Sequence, residues 1–152
     1  MADAPIVLGF AEFVELPDWG ISGLRGKLDT GARTSALHVE NIRELAHGRV
    51  GFDVRLHRRH VDRTVHVETK ILRKGRVRAS SGAAETRVFV ATTLRIGALE
   101  HRIELSLVDR DRMIYRMLVG RTALGPGVLV DPAHRYVVTR RLRRPVRRRA
   151  AG

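Results

Sequence analysis

The sequence predicts a mainly β protein whose sheets close on themselves or stack as a sandwich, and two observations carry that expectation. Apolar and polar residues alternate over many short runs, the period-2 signature of strands with one face buried. Turn residues punctuate those runs at short intervals, as in all-β domains. Helix is confined to two brief stretches.

Taken in order, residues 6–16 read as a first strand and Pro17-Asp18-Trp19-Gly20 as a turn. Residues 21–28 alternate as a second strand that runs into Asp29-Thr30-Gly31. Residues 40–46 fit a short helix or a loop equally well. Residues 50–56 alternate again, and residues 64–72 continue as a strand that breaks at Lys74-Gly75. Val77 opens a return strand before Ser80-Ser81-Gly82. Residues 86–96 form a long strand, Gly97-Ala98 a turn, and residues 101–108 its alternating partner. Met117 to Gly120 is an apolar run, and Thr122-Ala123-Leu124 is compatible with a short helix. Tyr136-Val137-Val138-Thr139 is the last strand-like run.

The chain has 152 residues, which is one domain by size and long enough to bury about two thirds of its unfolded surface. The expected division is a domain over residues 1–139 and an arginine-rich tail over residues 140–152 that reads as disordered. There is no cysteine, which removes thiol catalysis, zinc fingers and iron–sulfur sites and fits a reducing compartment. The N-terminal stretch has no basic n-region and its apolar run ends at Glu12, so neither a signal peptide nor a membrane span is expected and a cytoplasmic location is the default. Net charge is +13, with Arg140, Arg141, Arg143, Arg144, Arg147, Arg148 and Arg149 crowding the tail. Such a tail reads first as a solubilising one in an arginine-biased chain. It also fits an arm for an anionic partner, although no aromatic is interleaved for base stacking.

The stretch richest in chemistry is Lys27-Leu28-Asp29-Thr30-Gly31-Ala32-Arg33-Thr34-Ser35-Ala36-Leu37-His38. An isolated Asp-Thr-Gly is ordinary turn chemistry. It is also what an aspartic protease needs, a carboxylate on a tight loop that meets a second carboxylate and shares one proton with it. On that reading Asp29 is catalytic, Thr30 locks the loop, Gly31 permits close approach and Ala32 leaves space around the carboxylate. The chain carries one such motif and no internal repeat, so a two-lobed single-chain enzyme is excluded and the second aspartate must come from a second copy.

With these residues in place, the chain resembles the bacterial retropepsin-like aspartic endopeptidases, a family also labelled ATP-dependent zinc proteases. A hairpin feeding an Asp-Thr-Gly loop is how retroviral-type proteases present their aspartate. The matching stretches are residues 29–38; Ser80-Ser81-Gly82 with Glu85 and Arg87; Ile103-Glu104-Leu105; Arg110 with Met113; residues 117–124; and Val130-Asp131-Pro132. They span nearly the whole chain except the extreme C-terminus, and the first block and the Gly120-Arg121 block are the specific ones. Asp109 and Arg116 depart from the pattern, standing where Asn and Pro are expected. The resemblance implies a retropepsin-like acid-protease β-barrel with one or two short helices, working as a homodimer. It implies that Gly120 packs against the back of the catalytic loop and that the Arg121 guanidinium bonds carbonyls or a carboxylate there. His38, Ser80, Ser81, Glu85 and Arg87 become candidates for the edge of the cleft.

Other chemistries find less support. Seven histidines are scattered without a His-Glu-x-x-His helix, and arginines separate His57 from His60, so no metal site is expected. Ser80-Ser81-Gly82 is not a nucleophile elbow, and no glycine-rich phosphate loop occurs, so no cofactor is expected. The expected substrate is a peptide or protein, and a basic chain suits an acidic one. The resemblance also suggests association with ATP-grasp amide ligases that append amino acids such as glutamate. The alternative is a non-catalytic module of the same fold that docks on RNA or an acidic protein.

Overall fold

The structure, a computed structural model, describes residues 4–57, 63–78, 81–110 and 114–139. Its strands are β1 (Ile6–Gly9), β2 (Ala11–Leu16), β3 (Ile21–Asp29), β4 (Ser35–His38), β5 (Glu40–Leu45), β6 (Arg49–Arg55), β7 (Thr64–Lys70), β8 (Arg73–Arg78), β9 (Ala84–Ile96), β10 (Leu99–Val108), β11 (Met117–Gly120) and β12 (Val128–Asp131). The protein is mainly β, as expected. Helical structure among the described residues is limited to single 3-10 turns at Pro17–Trp19, Ala46–Gly48 and Arg121–Ala123. The Arg-rich tail, Ser80 and Met113 lie outside the described residues.

Six strands form a ring in the order β9–β2–β3–β11–β4–β10, which returns to β9; β8 extends β9 as an edge hairpin. β5–β6–β7 form a separate antiparallel sheet, and β1 pairs in parallel with β12. The side chains inside make one core. Leu16, Ile21, Leu24, Leu37, Leu105 and Met117 come from the ring, and Val50, Phe52 and Val54 from the three-stranded sheet. Burying a Leu, Val or Phe of this kind contributes about 1.5–3 kcal/mol. Trp19, in the first turn, meets Phe52 edge-on at 5.5 Å and so joins the sheets.

Four local expectations are corrected. The run 6–16 is two strands, because the chain changes sheets at Gly9-Phe10. There the Phe10 N–H donates to the His134 carbonyl at 2.9 Å, and a Cβ at Gly9 would lie 2.6 Å from that oxygen. Residues 40–45 are neither helix nor loop but the edge strand β5, whose ladder to β6 shifts register between Glu40 and Arg43. Asn41, at φ 55°, sits in that irregularity, which disguises the strand in the sequence. Lys74-Gly75 does not break a strand; the break is at Ile71-Leu72. Gly75 instead leaves room for Arg73, whose guanidinium lies 3.9 Å over the Phe89 ring; a Cβ at Gly75 would be 2.6 Å from Arg73 Nη1. Residues 136–139 form no strand. They fold over β2, with Tyr136 stacked on Phe13 at 4.5 Å and its N–H bonded to the Ala11 carbonyl.

Candidate active site

Alternation along β3 delivers the aspartate. Leu24, Gly26 and Leu28 are buried, Arg25 and Lys27 are exposed, and the same phase brings Asp29 out half-buried where the strand ends. The chain then turns tightly, with the Ala32 N–H donating to the Asp29 carbonyl at 3.1 Å. The Gly31 N–H donates to Asp29 Oδ1, also at 3.1 Å, so one carboxylate oxygen is held by its own loop. Gly31 does not have a positive φ. Its constraint is proximity, since a Cβ there would sit 3.3 Å from Asp29 Oδ1. Thr30 is exposed and Ala32 half-buried.

β11 backs this loop. It runs parallel to β3 with Gly120 opposite Asp29. A Cβ at Gly120 would lie 2.5 Å from the Thr34 carbonyl oxygen and 2.6 Å from its carbon, so no larger residue fits without moving backbone. The Gly120 N–H donates to Ser35 Oγ at 3.0 Å, and the Ser106 hydroxyl donates to the Ser35 carbonyl at 3.3 Å. Beyond Gly120, the turn Arg121–Ala123 lies along the loop. Arg121 N–H donates to the Ala32 carbonyl at 2.9 Å, and Nη1 reaches the Thr30 and Gly31 carbonyls at 3.4 Å each. Thr122 caps the Arg33 carbonyl through its hydroxyl at 2.7 Å. Main-chain and side-chain donors from 120–122 therefore hold the loop that carries Asp29.

The structure thus gathers Asp29, Thr30, Gly31, Ala32, Gly120 and Arg121 into one constellation. His38 sits apart at the far end of β4, fully buried. Its Nδ1 accepts the Arg110 N–H at 2.9 Å, which places the proton on Nε2, facing Glu40 at 3.4 Å. That histidine joins the segment after β10 to the start of β5. Ser81 is exposed in the turn after β8, and its Oγ accepts the Ala83 N–H at 3.5 Å. Glu85 and Arg87 pair at 3.2 Å on β9. Arg116, one of the two departures, is buried and its carbonyl accepts the His38 N–H. Ser35, Thr122 and Ser106 were not singled out from the sequence. Ser35 and Thr122 carry a signal in the sequence through their place in the two specific blocks, whereas Ser106 has no local signal.

Among the described residues no group of three or more His, Asp or Glu is placed to hold a metal ion. His66 lies between Asp53 and Glu68, His101 bonds the Leu124 carbonyl, and His134 pairs with Asp131. The described residues do not fit a zinc site.

A ring of strands with an Asp-Thr-Gly loop backed by a Gly-Arg strand end defines a retropepsin-like domain. Comparison with known proteins agrees: the chain belongs to the RimB-like family of retropepsin-like aspartic endopeptidases, whose sequence model matches residues 7–141. It is 32% identical over 139 residues to a Shewanella pealeana protein named probable alpha-L-glutamate ligase, covering 90% of this chain and 30% of that one. It is 40% identical over 133 residues to a protein of the same name from Parasynechococcus marenigrum, covering 84% and 28%. The chain thus spans less than a third of the curated relatives it matches. Among solved structures, it is similar to a Legionella pneumophila protein of unknown function (DUF785), with a TM-score of 0.72, 27% identity, and coverage of 88% of this chain and 98% of that one. No described helix is long and apolar enough to cross a membrane.

Proposed function

We propose that the protein is an aspartic endopeptidase in which Asp29 of one subunit faces Asp29 of a second across a two-fold axis. The observation that carries this reading is the Asp29 carboxylate, half-buried at a strand end with one oxygen fixed by the Gly31 N–H. A loop so held presents the other oxygen in a fixed direction. In the pair, one ionised carboxylate takes a proton from water while the other, protonated, polarises the scissile carbonyl, and no covalent intermediate forms. Thr30 braces the loops across the axis in an isologous contact. The favoured substrate is an acidic peptide, in keeping with a net charge of +13 and with relatives named as glutamate ligases. The same charge favours, as a second reading, a non-catalytic module that binds RNA or an acidic protein.

The deciding experiment is cleavage of a peptide library by wild type and Asp29→Asn, with and without chelator. The expected result is cleavage that falls by orders of magnitude in Asp29→Asn and ignores the chelator. Chelator-sensitive cleavage that survives the substitution would overturn the proposal, and binding of RNA without any cleavage would favour the second reading.

A further inference from the structure

We propose that Arg87 is a positioning residue for the Asp29 loop, acting through Ser106 and Ser35 on Gly120. Arg87 lies on β9, in the part of the strand that forms the hairpin with β8, directly opposite Gly75. Its side chain is only 9% exposed although it carries a guanidinium. Two groups hold it: Glu85, itself half exposed, accepts from Nε at 3.2 Å, and Ser106 Oγ accepts from Nη1 at 3.5 Å. The Ser106 hydroxyl passes the line on by donating its own proton to the Ser35 carbonyl at 3.3 Å. Ser35 ends the line, since its Oγ accepts the Gly120 N–H at 3.0 Å and Gly120 stands opposite Asp29 in the parallel register.

The chemistry of this line argues against simple core filling. Ser35 and Ser106 are each 1% exposed on adjacent central strands, positions where Ala or Val would fill space without a polar group to satisfy. Burying a hydroxyl costs free energy unless it is hydrogen-bonded, and each of these is bonded toward the next. Gly120 has no slack, because Thr34 already touches the place where a side chain would begin. A displacement of Ser35 is therefore passed to the strand end beside Asp29 instead of being absorbed. The hairpin and the catalytic loop are in this way linked by side chains, across a distance that no backbone ladder bridges directly.

The test is a double-variant cycle on the whole chain, read in two ways. The first readout is the backbone amide resonances of Gly120 and Gly31, which need no substrate and stand whether or not the protein is a peptidase. Arg87→Gln and Ser106→Ala are expected to shift both, and the double variant to shift them no further than the larger single effect. Arg76→Gln, on the opposite face of the same hairpin, is expected to leave them in place. The second readout rests on the peptidase proposal: with a quenched peptide taken from the library, kcat is expected to fall about tenfold in Arg87→Gln with KM within about twofold. Arg87→Lys, which keeps the charge but loses the fork that serves two acceptors, is expected to recover part of the rate; it is also the probe to use if the Gln variant does not fold. Unmoved Gly120 and Gly31 resonances in either Arg87 variant would overturn the inference, as would additive effects in the double variant, which mark two independent structural losses. Cleavage indifferent to Asp29→Asn, with the resonance shifts intact, would overturn the peptidase reading and leave the positioning line standing.

Discussion

The hydroxyl of Thr139 donates to the carboxylate of Glu12 at 2.6 Å, and it does so where Glu12 is wholly buried. The same carboxylate accepts N–H bonds from Gly9, Val137, Val138 and Thr139, and Thr139 Oγ1 in turn accepts the Phe13 N–H at 2.8 Å. A buried negative charge is thereby balanced by oriented donors from both ends of the described chain.

Truncation is expected to divide sharply at this contact. Ending the chain after Thr139 should leave the melting temperature unchanged, because every donor to Glu12 is kept. Ending it after Tyr136 removes four of the five donors and should cost about 3–5 kcal/mol, the usual consequence of leaving a buried charge uncompensated. Urea denaturation of the two truncations measures the difference; equal stability would mean that Glu12 finds other partners.

Gly120→Ala and Gly31→Ala should separate fold from site. The added methyl at Gly120 meets Thr34 backbone at 2.5 Å, so a loss of about 1–3 kcal/mol or more is expected together with activity. At Gly31 the methyl meets only Asp29 Oδ1 at 3.3 Å. Stability there should change little while cleavage drops, because the carboxylate is the group that gives way. Denaturation and peptide-cleavage assays on both variants check the contrast.

The three-stranded sheet should respond to pH through His66. Hydrogen bonds to Asp53 and then Glu68 raise the His66 pKa above its ordinary 6.5, since only the imidazolium can donate to both. Hydrogen bonds from Asn41 and then His66 hold Asp53 below its ordinary 3.8. The histidine's contribution is complete below pH 6.5 and is lost as pH rises through the raised value. That of Asp53 is complete above pH 3.8 and is lost as pH falls through the lowered one. Stability measured against pH should therefore decline on the alkaline side in wild type and stay flatter in His66→Gln.

Self-association should depend on the β1–β12 pair. Val7 and Leu129 face each other across this ladder and are 40% and 56% exposed, beside Ile6 at 40%. An apolar cluster of this kind is costly to leave in water. Sedimentation at micromolar concentration is expected to give a dimer for wild type and a monomer for Leu129→Asp, with cleavage lost in the same variant. A monomeric wild type that still cleaves would sink the mechanism with one aspartate per subunit.

Much of the ring was legible because its strands are amphipathic and its turns carry Pro and Gly. Residues 24–28 and 101–105 alternate cleanly, since one side of each meets the core and the other faces outward, whereas residues 105–108 are buried on both faces. Residues 40–45 were not legible for the opposite reason: a mostly exposed edge strand with an irregular ladder has no buried face to impose a period. Residues 136–139 look like a strand because Tyr and Val favour one, yet their N–H groups go to the Glu12 carboxylate instead of a ladder. The Asp29 and Gly120 blocks announced themselves by local composition. Ser106 could not, because its meaning lies in partners 71 and 19 positions away.

The parallel pairing of β1 with β12 also governs how the molecule bears load. Neighbouring parallel strands drawn from opposite ends slide past each other, so their ladder bonds are strained together and not unzipped singly. A pull between Ile6 and Thr139 meets the contact with Glu12 on β2 first and that ladder next, before any ladder between strands of the ring is loaded. Held as one segment of a longer polypeptide, the domain is thus latched at its own doorway, and tension along the chain spends itself there while the loop bearing Asp29 stays at rest.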